Sequence, residues 1–320
     1  MPLPPVAERF LRYVRIDTRS DPASHTVPST EAQKTLGRLL RDELRAMGAA
    51  EVVMNPHGYV FATIPATSPE AALPVLALLA HQDTSPDAPG ADVRPVIHAS
   101  YDGGVLRLPG DERVVLDPAR QPALRDHLGH DVITSDGTTL LGSDDKAGVA
   151  ILMQLAEDLL ADHTLPCPRL RLCFTVDEEI GRGVDHLDLA VLGADVAYTL
   201  DGSGTDTLYS ETFNAAEALV TVEGIMVHPG YAHGIMVNAA RILSDLIAAL
   251  PPDEAPETTS GRAGYFHPHT LDAADAARAR ARILLRDFTD AGLLRRKNFV
   301  HAHAEALRLR YPKARITVEI

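Results

Sequence analysis

Helix-like and strand-like segments alternate through residues 1–214, and this alternation constrains the fold more than any other feature of the sequence. Leucines recur at helical spacing over residues 30–47, and a largely apolar helical segment covers residues 146–163. Short aliphatic runs at 73–81, 170–176 and 195–204 predict strands, each of which stops at a polar cluster. Strands and helices that alternate in this way form an α/β domain with a largely parallel sheet, which we predict over residues 1–214.

The pattern changes after residue 214, where a second, smaller unit is predicted. Its segments indicate a half-exposed strand, an amphipathic helix, a second strand, a second helix and a last strand, at residues 217–224, 238–251, 279–288, 293–311 and 314–320. Two helices and three strands suffice for one small layer of each. We therefore expect an α+β sandwich over residues 215–320.

Charge and composition exclude several classes of protein. The net charge of −14 argues against nucleic-acid binding and against anionic membranes, which favour clustered Lys and Arg. No apolar run approaches the roughly 20 residues that cross a bilayer, and the N-terminus lacks the pattern of a secretory signal. Cys167 and Cys173 are expected to be buried thiols, so the sequence favours the cytoplasm.

Polar residues follow the predicted strands and one tight turn, at the points where apolar segments stop. In chain order they are His81 and Asp83, Asp144 and Asp145, Glu178 and Glu179, and Asp201. Ligands gather at the carboxyl ends of strands in α/β sheets, so these side chains are expected in one crevice. One imidazole with several carboxylates is a donor set for zinc or a similar divalent ion. Taken singly, each cluster also fits a hydrogen-bonded histidine, a turn or a solvated acidic pair.

Five motifs, in this order, resemble those of peptidase T: "HQDTSPD", "LLGSDDKAG", "FTVDEEIGRG", "YTLDGSG" and "VHPGYAHGIMVNA". Peptidase T comprises the tripeptide aminopeptidases of the zinc carboxypeptidase and aminoacylase superfamily. The resemblance covers essentially the whole chain. It implies a mixed, mostly parallel sheet flanked by helices, with the smaller α+β unit inserted as a lid and dimerisation domain. It also implies small peptides as substrates and a possible homodimer through the small domain.

The resemblance assigns roles to the residues at the strand ends. Glu178 is implied as the general base that activates water, and Asp83 as the carboxylate that orients His81. Two Zn²⁺ ions per active site are implied, with Asp144 shared between them. A cis peptide between Asp144 and Asp145 accompanies this arrangement in the superfamily. The implied metal ligands are His81, Asp144, Glu179 and Asp201.

Three residues of the small domain also match family positions. His228 corresponds to a histidine that stabilises the tetrahedral oxyanion. Asn238 and Arg286 correspond to substrate-binding positions, and the planar guanidinium of Arg286 suits a peptide carboxylate. Lys146, in "DDKAG", is expected to serve the structure of its loop.

The family pattern continues past the small domain in a return to the catalytic domain, which carries a histidine of the second metal site. No segment of this sequence matches it; His301 and His303 fall in the second helix of the small domain, and His267 and His269 are expected in a loop. The second metal site is therefore expected to be incomplete. Two hypotheses remain open: an active zinc tripeptide aminopeptidase, and a truncated, impaired or non-catalytic peptide-binding remnant. A deacylase or dipeptidase of the same superfamily is a third.

Overall fold

The computed structural model describes residues 2–67, 73–202, 204 and 207–320, and the chain divides into two compact units at residues 205 and 206. Residue 203, within the predicted strand segment 195–204, lies outside the described residues. Cys167 and Cys173 are free and buried, as expected. Within the described part of the chain, every helix is too short or too polar to cross a bilayer.

The first unit contains four helices and nine strands among its described residues. The helices are α1 (Pro5–Tyr13), α2 (Gln33–Ala46), α3 (Ser143–Ala161) and α4 (Leu189–Leu192). The strands are β1 (Ala50–Met54), β2 (Val60–Ile64), β3 (Leu76–His81), β4 (Val96–His98), β5 (Leu106–Arg107), β6 (Val115–Leu116), β7 (Val132–Thr134), β8 (Leu170–Thr175) and β9 (Val196–Thr199).

Five of these strands form the main sheet, in the order β1-β2-β8-β3-β9. β3 is parallel to both β8 and β9, whereas β2 is antiparallel to β1 and β8, so four of the five strands run in one direction. The predicted mixed, mostly parallel sheet is therefore confirmed. β8 is buried along its whole length, but all four residues of β9 are exposed, so β9 is an open edge of the described sheet.

The core of the first unit lies between the main sheet and α1, α2 and α3. Leu36, Leu40 and Leu44 form the buried stripe of α2, at the helical spacing that the sequence showed. Gly48 follows the end of this helix with φ +86°, a left-handed conformation that glycine adopts without a Cβ penalty. α3 contributes Val149, Leu152 and Met153 to the same core.

The segment between β3 and α3 forms two small sheets that the sequence analysis did not anticipate. β4 pairs with β7 and β5 pairs with β6, both antiparallel. Most of their residues are only partly buried, and the strands are two or three residues long. Such short strands carry too little periodicity to be recognised in a sequence.

The second unit is an α+β sandwich. Its elements are β10 (Asn214–Glu223), α5 (Ala239–Ala248), β11 (Tyr265–Asp275), β12 (Arg278–Asp287), α6 (Asp290–Arg310) and β13 (Arg315–Glu319). The four strands form an antiparallel sheet in the order β11-β12-β10-β13. One face of the sheet supplies Val220, Val222 and Ile283 to a core that α5 and α6 complete. His267 and His269 lie on β11, so their predicted position in a loop was wrong.

Candidate active site

The carboxyl ends of three parallel strands deliver the predicted site residues to one edge of the main sheet. His81 is the last residue of β3, Glu178 and Glu179 begin a 3-10 turn after β8, and Asp201 follows β9. Asp144 comes from the first turn of α3. Because parallel strands end at the same edge, residues far apart in sequence meet there.

His81, Asp144 and Asp201 form a cluster whose ligand atoms all lie within 4.8 Å of one another. The Nε2 atom of His81 is 2.9 Å from Oδ1 of Asp144 and 3.7 Å from Oδ2 of Asp201. One imidazole and two carboxylates form a three-residue donor set that suits zinc with a fourth, open position. The cluster consists of three of the four residues that the resemblance implied as metal ligands.

Asp83 fixes the orientation of the His81 ring. The Nδ1 atom of His81 lies 3.1 Å from the main-chain oxygen of Asp83 and 3.4 Å from its carboxylate. With Nδ1 engaged on this side, Nε2 faces the two acids. Burial alone lowers the pKa of His81, but the hydrogen bond and charge of Asp83 outweigh it and raise that pKa to about 10. The surroundings of this ring therefore favour a positive charge.

Glu178 and Glu179 are held by their main-chain groups, which leaves both side chains free to face the cluster. The N–H of Glu178 donates to Oδ1 of Asp83 at 3.0 Å, and the N–H of Glu179 donates to Oδ2 at 3.1 Å. Oε2 of Glu178 lies 3.8 Å from Nε2 of His81, and its side chain is about half exposed. Glu179 stands outside the three-residue cluster among the described residues.

Glu178, Glu179 and Asp201 have too little positive charge around them to balance their carboxylates. Burial, followed by the charge of Asp144, raises the pKa of Glu179 to about 7. Burial also raises the pKa of Glu178 and of Asp201, and neighbouring carboxylates add to it in both cases. Among the described side chains, His81 is the one basic group within ion-pair distance of Asp144, Glu178 and Asp201. A divalent cation would supply the missing charge, so the donor set fits a metal.

Asp144 and Asp145, adjacent in sequence, serve different functions. The peptide bond between them is cis, as the resemblance implied. Asp145 is buried and accepts the main-chain N–H of His81 at 3.1 Å and of Gly148 at 3.1 Å. Its carboxylate thus supports the backbone, whereas the side chain of Asp144 is largely exposed and belongs to the cluster.

Comparison with known proteins places the chain among peptidases. Peptidase T of Geobacillus kaustophilus (strain HTA426) is 42% identical over 313 residues, which are 98% of this chain and 76% of that protein. Peptidase T of Bacillus cereus (strain B4264) gives the same identity and coverage. The chain belongs to the peptidase T family. Residues 210–314 also match the family described as Peptidase dimerisation domain.

Solved structures share the fold at low sequence identity. A tripeptidase from Staphylococcus aureus has a TM-score of 0.69 and 21% identity, and covers 98% of this chain and 74% of its own. Aminopeptidase PepT from Bacillus cereus ATCC 10987 has a TM-score of 0.66 and 21% identity, over 99% of this chain and 75% of its own. A dinuclear metal-binding peptidase of the M20 family from Bacillus subtilis has a TM-score of 0.58 and 12% identity, and the match covers 98% of this chain and 72% of its own. These structures support the fold, whereas the family assignment rests on the peptidase T relatives and on the match to the Peptidase dimerisation domain.

The three predicted residues of the small domain lie in the second unit. His228 is exposed, and its Nδ1 accepts the N–H of Gly230 at 3.1 Å, so Nε2 carries the proton of the neutral ring. Asn238 caps α5 by accepting the N–H of Arg241 at 3.1 Å. Arg286 stacks on Phe213, with 4.1 Å from its guanidinium carbon to the ring centroid.

Sequence reasoning missed a buried network around Asp177, the first of the three consecutive acids. Asp177 faces away from the cluster and is bonded to Ser29 and Gln33. Ser29 and Gln33 are polar residues, four apart, at the start of the apolar stripe of α2, but this spacing does not indicate which side chain they meet. Lys146 is buried and donates to the main-chain oxygen of Ile16 at 2.7 Å, which agrees with the structural role expected for it.

Proposed function

We propose that this protein is a metal-dependent tripeptide aminopeptidase that removes the N-terminal residue of tripeptides. The cluster of His81, Asp144 and Asp201 carries the proposal, because it joins a zinc-type donor set to two further carboxylates at the same sheet edge. The names of the related proteins supply the substrate class.

In this proposal His81, Asp144 and Asp201 hold one zinc ion, and Glu179 with the shared Asp144 contributes to a second. When bound there, zinc would supply Lewis-acid chemistry, which polarises a carbonyl group and lowers the pKa of bound water to about 7. Asp83 keeps Nε2 of His81 directed at the cluster. The donors present thus fit the first ion fully and the second in part.

Glu178 acts as the general base. It accepts one proton of the attacking water while the oxygen adds to the carbonyl carbon. It then donates that proton to the departing amine as the peptide C–N bond breaks, so the carboxylate is regenerated. Its raised pKa, caused first by burial and then by neighbouring acids, brings it closer to the neutral pH at which a base of this kind works well.

Three residues of the small domain have proposed roles that follow from their match to family positions. The Nε2–H of His228 stabilises the oxyanion, Asn238 offers the amide group not used in capping, and Arg286 binds the peptide carboxylate. The match to the Peptidase dimerisation domain supports a homodimer formed through this domain. Two unpaired thiols and small peptide substrates suit a cytoplasmic enzyme.

The test is hydrolysis of an alanine tripeptide by the zinc-loaded protein, with the dipeptide and the N-acetylated tripeptide as comparisons. Glu178→Ala is expected to lower kcat by about 10²–10⁴-fold because the base is removed. Zinc bound at the cluster should be retained, since Glu178 is not one of its ligands. Glu112→Ala, which removes an exposed acid of the same unit, is the matched control.

Normal tripeptide cleavage by the Glu178→Ala variant would rule out this residue as the base. Cleavage of the N-acetylated tripeptide as fast as of the free one would contradict an aminopeptidase. Peptide binding without any hydrolysis by the zinc-loaded wild-type protein would favour the non-catalytic remnant instead.

A further inference from the structure

The carboxylate of Asp177 is fully buried and occupied by three hydrogen-bond donors. The main-chain N–H of Ser29 donates to Oδ2 at 2.7 Å, and the hydroxyl of Ser29 donates to Oδ1 at 2.5 Å. The side-chain amide of Gln33 donates to Oδ1 at 2.6 Å. A buried carboxylate is tolerated when donors replace its water, and here both oxygens are satisfied by one short segment. Asp177 therefore has a role other than metal binding.

The main chain at Asp177 is left-handed, with φ +57°. Few residues other than glycine adopt this conformation, although aspartate tolerates it better than most. It lies between the end of β8 and the 3-10 turn that begins at Glu178, so it redirects the chain where the strand stops. The N–H of Asp177 also donates to the side-chain oxygen of Gln33 at 3.2 Å, so one glutamine holds both the main chain and the side chain of this residue.

The same N-terminal segment holds the far side of the turn. The N–H of Arg182 donates to the main-chain oxygen of Asp177 at 2.9 Å, which closes the turn. The guanidinium of Arg182 donates to the main-chain oxygen of Ser24 at 2.7 Å. Asp83 accepts the N–H groups of Glu178 and Glu179 from within the turn. The turn is thus fixed at its beginning, middle and end, while the side chain of Glu178 remains free.

We propose that Asp177 is a positioning residue for peptide hydrolysis, which, through Ser29 and Gln33, holds the turn that aims Glu178 at the cluster. The inference rests on the proposed function, in which Glu178 is the base. It assigns to Asp177 a task unlike those proposed for Glu178 and Glu179. A general base must lie within hydrogen-bond reach of the water that it activates, so a small rotation of the turn is costly.

Asp177→Asn is the sharpest test, because asparagine tolerates the left-handed conformation but replaces one acceptor oxygen with a donor. Its amide nitrogen must face a donor on Ser29 or Gln33, so the network opens. We expect kcat for the zinc-loaded protein to fall by about 10–100-fold, with KM and zinc affinity unchanged. Amide hydrogen exchange of a peptide spanning residues 176–183 should become faster. Asp185→Asn, which changes an exposed acid near the same turn, is the control.

Two further variants separate positioning from folding. In Asp177→Asn combined with Gln33→Glu, the amide and the carboxylate exchange places, and this pair should recover much of the lost kcat. Ser29→Ala keeps the main-chain donor and loses only the hydroxyl, so it should fold and show a smaller loss in kcat.

An unchanged kcat in the folded Asp177→Asn variant, with melting temperature alone reduced, would overturn the inference. So would a loss of zinc affinity that matches the loss of kcat, since Asp177 would then act on the metal cluster. Wild-type protein with no peptidase activity would instead refute the proposed function. In that case unchanged hydrogen exchange over residues 176–183 in the variant would refute the holding role of Asp177 as well.

Discussion

Gly148→Ala should move Asp144 and Asp201, two of the proposed metal ligands, apart without touching either of them. A Cβ atom built on Gly148 lies 2.3 Å from the main-chain oxygen of Leu200 and 2.4 Å from Oδ1 of Asp145. Leu200 precedes Asp201, and Asp145 follows Asp144. The glycine is therefore the point at which the start of α3 packs against the end of β9. A methyl group there must push the two carboxylates of the cluster apart.

The size of the effect follows from the contacts. Ordinary van der Waals contact begins near 3.4 Å. One contacting atom belongs to the main chain of Leu200 and the other to the buried side chain of Asp145, so neither can turn aside. The helix and the strand end must therefore move apart by about 1 Å. Overpacking of this kind costs about 1–3 kcal/mol in stability. A displacement of about 1 Å in a catalytic site costs on the order of 10²-fold in rate.

Competition with a chromophoric zinc chelator is the primary assay, and kcat/KM for the alanine tripeptide is the second. We expect zinc affinity to fall at least about tenfold and kcat/KM to fall about 100-fold. The melting temperature should drop by about 2–4 °C for each kcal/mol lost in a unit of this size. Ile151→Ala, at an exposed position of the same helix, is the control and should change neither zinc affinity nor rate.

Wild-type zinc affinity in a folded Gly148→Ala variant would refute this reasoning, because the cluster would then not depend on the approach of α3 to β9. A large loss of stability in this variant with unchanged zinc affinity would refute the reasoning as well. Loss of affinity in the Ile151→Ala control as well would show that the helix as a whole, rather than this contact, governs the cluster.

Two other substitutions or treatments have outcomes that the structure specifies. In Gly183→Ala the new Cβ lies 3.2 Å from Cα of Glu178, so Glu178 must shift. We expect kcat to fall several-fold while the zinc affinity measured by titration remains unchanged. A loss of zinc affinity at constant kcat would contradict this expectation. Burial raises the pKa of Cys173 to about 12, so this thiol should resist iodoacetamide at pH 8 until urea unfolds the protein, as followed by mass spectrometry. Labelling of Cys173 in the native protein at the rate of a free thiol would show that β8 is open.

The sequence predicted that His81, Asp144 and Asp201 would lie together, and the reason is physical. Parallel strands place their carboxyl ends together, so polar residues that end successive strands must meet, whatever their separation in sequence. For this reason Nε2 of His81 lies 3.7 Å from Oδ2 of Asp201, although the two residues are 120 positions apart in sequence. Aliphatic runs in the sequence predicted β3, β8 and β9 of the main sheet, whereas β1 and β2 were not predicted.

The network around Asp177 escaped prediction because it depends on a contact without periodicity. Ser29 and Gln33 precede and begin a helix, and nothing in their spacing indicates which strand end they meet. The short strands β4 to β7 were missed for a related reason, since two or three residues carry no pattern. The position of His269 was misjudged because β11 contains a proline and histidines, which weaken the signal of a strand.

The three consecutive acids after β8 show how one sequence motif is divided among three tasks. Extended backbone would send neighbouring side chains to opposite faces, with Asp177 and Glu179 on the same side. The left-handed conformation of Asp177 interrupts this alternation, so Asp177 faces Ser29 and Gln33 inside the protein. The following 3-10 turn then directs the N–H groups of Glu178 and Glu179 to the buried carboxylate of Asp83.

The segment of residues 18–33 links these tasks. The N–H of Ser20 donates to the main-chain oxygen of Thr84 at 3.1 Å, beside the turn that carries Asp83. Ser29 holds Asp177, beside the turn that carries Glu178. A single N-terminal segment therefore sets the distance between the turn that orients His81 and the turn that carries Glu178. Substitutions that loosen this segment should displace His81 and Glu178 together, although none of its residues belongs to the cluster of His81, Asp144 and Asp201.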